Sequence, residues 1–124
     1  MLTLSLTNDL ELAKKLYLEN SIEIDENSLC MLCQNGEEIL GYCLFSVTEK
    51  RGEVYVISPL EDIALADGIL RSSLHVCAER NVMDVFYKDS LSEEFLEKIG
   101  FIKNREEKRL DIDKLFKACC QGCS

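Results

Sequence analysis

The 124-residue chain has no apolar stretch that could cross a bilayer, a task that takes about 20 consecutive apolar residues. It does not open like a secretion signal either. Met1-Leu2-Thr3-Leu4-Ser5-Leu6-Thr7 lacks a basic leader and alternates apolar with polar residues, as a strand does. Cationic residues are scarce: 14 Lys and Arg stand against 23 Asp and Glu, a net charge of −9. No basic surplus exists to neutralise the phosphates of a nucleic acid, and any polyanionic ligand would need a local basic patch. Histidine occurs once, at His75, inside an apolar helical pattern that marks a surface or packed residue. No internal repeat and no linker divides the chain.

What is present describes one soluble globular domain: 47% hydrophobic and 30% charged residues in a length too short for two cores. Seven cysteines without an export signal read as reduced thiols of a cytoplasmic protein.

Read in order, Leu2, Leu4 and Leu6 form a first strand, and Thr7 or Asn8 caps a helix from about Asp9 to Asn20 with Leu10, Ala13, Leu16 and Tyr17 at helical spacing. Leu29–Gln34 and Ile39–Thr48 are strands joined at Asn35-Gly36, a strong hairpin signal. That hairpin pairs Leu29–Gln34 with Glu37–Tyr42 and puts Ile39, Gly41, Cys43, Phe45 and Val47 on one face. After the turn Glu49-Lys50-Arg51-Gly52, a third strand, Glu53–Ser58, completes an antiparallel meander. The single proline, Pro59, then marks a turn into a long helix, about Asp62–Arg80, whose stripe of Ile63, Ala66, Leu70, Leu74 and Cys77 is wide enough to pack on a sheet. Asn81 ends it. Met83–Tyr87 follows as a strand parallel to the one before the helix. Ser92-Glu93-Glu94 opens a short helix that stops at Gly100. Phe101–Lys103 and Lys108–Ile112 close the sheet, and Asp113 caps a last helical turn. The expected class is α/β (α+β), a mixed, mostly antiparallel central sheet with helices on both faces, with the domain at 1–112 and a short helix plus cysteine-rich tail at 113–124.

This order resembles the GNAT (GCN5-related N-acetyltransferase) fold. Phe95-Leu96-Glu97-Lys98-Ile99-Gly100-Phe101 is similar to the family's Phe-Tyr-Glu-Lys-Leu-Gly-Phe segment, and Val56-Ile57-Ser58-Pro59 to the strand leading into its acetyl-CoA loop. The resemblance implies acetyl-CoA as cofactor, bound beside Ile57 and along the start of the long helix. It also implies acetyl transfer to the amine of a small molecule or protein, and it leaves room for a homodimer.

Position by position the match is incomplete. The family's Arg/Gln-x-x-Gly-x-Gly/Ala loop, whose backbone N–H groups hold the pyrophosphate, falls on Glu61, Ala64 and Ala66, and only Ala66 fits. Glu61 and Asp62 put carboxylates where an anion would dock, at a cost of about 1 kcal/mol each at 4 Å even in bulk water. Ala64 resists the positive φ a glycine permits. Asp89 stands where an asparagine is frequent, Leu96 replaces a proton-donating tyrosine, and there is almost no room for a second helix between Asn20 and Leu29. Glu53, six residues before Pro59, occupies the position of the family's general base. The expectation is weak or absent acetyl-CoA binding.

The cysteines divide into two groups. Cys30 and Cys33 would lie three apart on a strand, facing opposite ways and roughly 10 Å apart, too far for one zinc. With Cys43 and Cys77 they read as small core hydrophobes. Cys119, Cys120 and Cys123 at the end are weaker metal or redox candidates, and no bound metal is expected. Three readings therefore stand: an acetyltransferase-fold protein with a degenerate cofactor loop, a non-catalytic binding or regulatory domain, and a metal- or redox-responsive protein acting through its tail.

Overall fold

Seven strands form one sheet in the order β1-β2-β3-β4-β5-β7-β6 in the computed structural model, which describes residues 1–116. Cys119, Cys120 and Cys123 lie outside the described residues, together with the tail reading that rests on them. The elements are β1 (Leu2–Leu6), α1 (Leu10–Glu19), β2 (Ser28–Asn35), β3 (Glu38–Val47), β4 (Gly52–Ser58), α2 (Ile63–Glu79), β5 (Val85–Tyr87), α3 (Glu93–Ile99), β6 (Ile102–Asn104) and β7 (Arg109–Leu110). All neighbouring pairs are antiparallel except β4 with β5, which are parallel and joined through α2. No helix among the described residues is long and apolar enough to cross a membrane.

Each face of the sheet buries its own cluster. On one, Ala13, Leu16 and Tyr17 of α1 meet Cys30, Leu32 and Leu44. The Tyr17 hydroxyl donates to the carbonyls of Leu29 (2.7 Å) and Phe45 (2.9 Å), so a buried phenol is satisfied by two strands at once. On the other face, α2 sets Ala66, Ile69, Leu70, Leu74 and Cys77 against Cys33, Cys43, Phe45, Val54 and Ile57, and Phe95 and Leu96 of α3 extend the layer. Cys30 and Cys33 thus point to opposite faces. Leu115 belongs to the same core, which draws residues 113–116 onto the domain.

Several local details differ from the sequence reading. Asp9, not Thr7 or Asn8, caps α1: its carboxylate accepts from the Leu12 N–H at 3.1 Å, and Thr7 instead accepts from the Asp9 N–H. Leu10 (69% exposed) and Ile63 (41%) lie outside the stripes assigned to them because each opens its helix, and Ile39 (41%) leaves its face because Leu40 is the extra residue of a bulge, which pairs Ile39 with Gln34 on the opposite side from Gly41. The hairpin turns on Gly36-Glu37, with Gly36 at φ +63°, and Asn35 pairs with Glu38. The turn moves the expected register by two residues and a bulge between Cys33 and Gln34 by one more, so Leu29 faces Phe45 and not Tyr42. Asp113 directly precedes a helical stretch at residues 114–116, and its carboxylate also meets Lys103 at 3.5 Å. Other punctuation is as read: Ser92 accepts from the Phe95 N–H, Gly100 adopts φ +72°, and Asn81 leaves α2 at φ +63°.

Candidate functional site

The sheet opens where β4 and β5 part. Their pairing runs from Gly52↔Val85 to Val54↔Tyr87 and stops there. At the same place Tyr55 is the extra residue of a bulge, since Phe45 pairs with Val54 and Leu44 with Val56. The Ser90 hydroxyl bridges the gap by donating to the Tyr55 carbonyl at 2.6 Å.

Beyond this notch lies a groove of about 250 Å³ between the N-terminal ends of α2 and α3. Leu60, Glu61 and Ile63 form one wall, and Ser92, Glu94, Phe95 and Lys98 form the other. Two helix starts facing one groove would suit an anion, because each presents free N–H groups and the positive end of its dipole. The side chains oppose that use. Asp62 Oδ1 accepts from the Leu65 N–H at 3.1 Å, taking one of the first-turn donors of α2. Glu61 and Glu94 add two exposed carboxylates to the walls, and Lys98, the cation among the lining residues, is paired with Glu94 at 3.6 Å.

The other residues singled out in the sequence are dispersed. Ile57 is buried under α2 and Ala66 is fully enclosed. Ala64 faces away from the groove and lines a separate apolar trench beside β1 with Leu65 and Gly68. Asp89 is exposed and paired with Lys108. Leu96 is buried in the core with no polar group to offer.

Glu53 is half-buried and held by Lys88 at 3.0 Å and Arg51 at 4.0 Å. It lines a cavity of about 220 Å³ together with Arg51, Phe86, Tyr87, Lys88, Asp89, Glu107 and Lys108. Tyr87 on that wall was not singled out by the sequence. Its hydroxyl donates to Glu93 at 2.5 Å, and burial, then the Glu93 carboxylate, pushes the phenol up to about 12. The available signal was its place one turn-length before Ser92-Glu93, but nothing in the chain's pattern indicates that the phenol reaches back beneath α3.

A mixed sheet with one parallel pair at its centre, α1 on one face, and α2 and α3 on the other is the GNAT fold. Solved structures share it. The ribosomal-protein-S18-alanine N-acetyltransferase of Escherichia coli superimposes with a TM-score of 0.59 at 12% identity, covering 88% of each chain. Ard1 of Thermoplasma volcanium gives 0.55 at 15% identity, over 87% of this chain and 92% of that one. A GNAT-family acetyltransferase of Streptococcus pneumoniae gives 0.55 at 16%, over 82% and 87%. No family model matches the chain, and no curated protein matches it in sequence.

The cofactor implied by the fold can be tested against these residues. A pyrophosphate at the start of α2 would meet the Asp62 carboxylate already seated on the Leu65 amide, with Glu61 and Glu94 alongside. The residues present do not fit that group.

Proposed function

We propose that this chain is a GNAT-fold domain that does not hold acetyl-CoA tightly and serves as a non-catalytic binding or regulatory domain. One observation carries the reading: the carboxylate of Asp62 occupies the helix start where the fold would place a pyrophosphate. The acidic balance of the chain points the same way, because a net charge of −9 repels a polyanionic cofactor at long range as well as in the groove. Thermal unfolding tests it. A ligand that binds the folded state alone adds about 2.7 kcal/mol at a hundred times its Kd. Millimolar acetyl-CoA should leave Tm unchanged, whereas a rise of several degrees would remove the proposal.

A second reading is acetyl transfer to an amine. It is favoured by the cavity that brings the Glu53 carboxylate and the Tyr87 phenol onto one wall, a base and an acid of the types such chemistry uses. Its check is acetyl-CoA turnover with amine acceptors. Turnover abolished by Glu53→Gln, with folding intact, would place this reading first.

A further inference from the structure

We propose that two copies of this chain pair through β1, edge to edge, into one continuous sheet. Among the described residues the two outer strands of the sheet, β6 and β1, present unequal edges. At one end, β6 is three residues long and carries Lys103 at its centre, as edges that avoid pairing commonly do. At the other end, β1 is five residues long, carries no proline, and holds an unbroken register with β2 from Leu2↔Asn35 to Leu6↔Met31. No charged side chain occurs from Met1 to Asn8. The chain carries −9 overall, so a surface free of carboxylates lets two copies approach with the least charge repulsion, and this edge is one.

Backbone geometry sets the partner's register. The Thr7 N–H donates to the Cys30 carbonyl at 3.0 Å, so Thr7 continues the β1–β2 register as a hydrogen-bonded pair. Antiparallel pairs alternate. Thr3 and Ser5 therefore also bond to β2, while the N–H and C=O groups of Leu2, Leu4 and Leu6 face outward. The sequence of β1, Leu-Thr-Leu-Ser-Leu, reads nearly the same in both directions about Leu4. A second copy set antiparallel across a two-fold axis at Leu4 places Leu4 opposite Leu4, and Leu2 opposite Leu6. Each pair then exchanges both of its bonds.

The side chains agree with that register. Leu2, Leu4 and Leu6 face Asn35, Cys33 and Met31, and so point to the α2 side of the sheet. There Leu2 and Leu4 remain 61% and 43% exposed beside an apolar trench of about 250 Å³, walled by Ala64, Leu65 and Gly68 of α2. The leucines of the second strand would fill the strip between the two α2 trenches. The contact is isologous and closes on itself, and the guarded β6 edge stops further growth. A five-residue ribbon with its trenches is a small interface, so the dimer should dissociate in the micromolar range.

Sedimentation velocity from about 5 to about 500 µM should show the mass rise from 14.1 kDa toward twice that value. Leu4→Lys should raise the dimer Kd at least tenfold, and Leu18→Ser, on the exposed far face of α1, should leave it unchanged. Register is tested by cross-linking in a chain whose Cys119, Cys120 and Cys123 are serine and whose Cys33, which faces position 4 across β2, is alanine. Facing residues of a hydrogen-bonded antiparallel pair have Cα atoms about 5.5 Å apart, a distance that a disulfide spans. Leu4→Cys should therefore give a covalent dimer on mild oxidation, and Leu2→Cys, which faces Leu6, should not. If Leu4→Lys fails to fold, the Leu4→Cys and Leu2→Cys pair decides. A monomer at every concentration, a dimer indifferent to Leu4→Lys, or equal cross-linking at positions 2 and 4 would overturn the proposal, and the first result would leave the edge to an extended segment of a different protein.

Discussion

Asp62 combines two effects in one side chain. As the N-cap it satisfies the Leu65 N–H, and as an anion at the positive end of α2 it interacts favourably with the helix dipole. Both effects stabilise the fold, and both oppose a pyrophosphate. The two can be separated by substitution. Asp62→Ala should cost about 1 kcal/mol and lower Tm by a few degrees, while Asp62→Ser, which keeps a capping oxygen and drops the charge, should recover most of that loss. Equal destabilisation by both in thermal melts would show that the hydroxyl cannot replace the carboxylate. Caps of this kind were only partly legible in the sequence. Ser92 and Gly100 stood out because a serine before two glutamates and a glycine after an apolar run each have a single local use. Asp9 was hidden among Thr7, Asn8 and itself, three residues that can all cap a helix, and the choice depended on where the chain leaves β1.

Among the elements, the joint of β3, β4 and α2 is the tightest. A Cβ on Gly41 would lie 2.5 Å from the Ser58 carbonyl, 2.7 Å from Ile69 Cδ1 and 2.9 Å from Pro59 Cδ. Two of these neighbours are the chain entering the Pro59 turn, and the third is the buried stripe of α2, so the strand must pass without a side chain for the helix to lie on the sheet. Gly41→Ala should be severely destabilising, at the upper end of the 1–3 kcal/mol typical of overpacking, while Gly68→Ala, whose added methyl meets open space, should be neutral or stabilising. Urea unfolding of the pair would check this, and a Gly41→Ala chain as stable as the parent would contradict the packing described. Element order and strand direction were legible because alternation is strong in Leu2–Leu6, a short apolar run bounded by Asn35-Gly36 marks Leu29–Gln34, and helical spacing is strong in Asp62–Arg80. Register was not. The bulges at Cys33/Gln34 and Leu44/Phe45 leave no mark in composition, and each shifts every pairing beyond it.

Across the whole molecule, both faces of the sheet bury thiols. Burial pushes Cys30 and Cys77 up to about 11, and Cys43 up to about 12. In the unfolded chain these thiols ionise near the ordinary value of 9.0, while the folded chain keeps them neutral. Their contribution to stability is therefore complete below about pH 9 and is lost as pH rises through the folded values. Each thiol should cost about 1 kcal/mol per pH unit within that window. Urea midpoints should be level from neutrality to about pH 8.5 and fall above 9, less steeply in Cys43→Ala; a flat profile to pH 11 would contradict the burial of the thiols. The fold as a whole was legible down to its likeness with acetyltransferases. From the sequence the candidate site could be stated only as departures from a motif at Glu61 and Ala64 and at Leu96, with Asp62 as a second carboxylate; its geometry could not, because the turn of α2 that sends Ala64 toward β1 and leaves Glu61 on the groove depends on how the helix lies on the sheet. The central claim is that the groove between α2 and α3 is closed to a pyrophosphate by the chain's own carboxylates. Calorimetric titration with acetyl-CoA, run on the parent chain and on a chain carrying Glu61→Gln, Asp62→Ser and Ala64→Gly, tests it most directly. No measurable heat of binding is expected for the parent, and a detectable gain in affinity is expected for the triple variant. A stoichiometric, micromolar titration of the parent chain, abolished by Ile63→Glu on the groove wall, would contradict it.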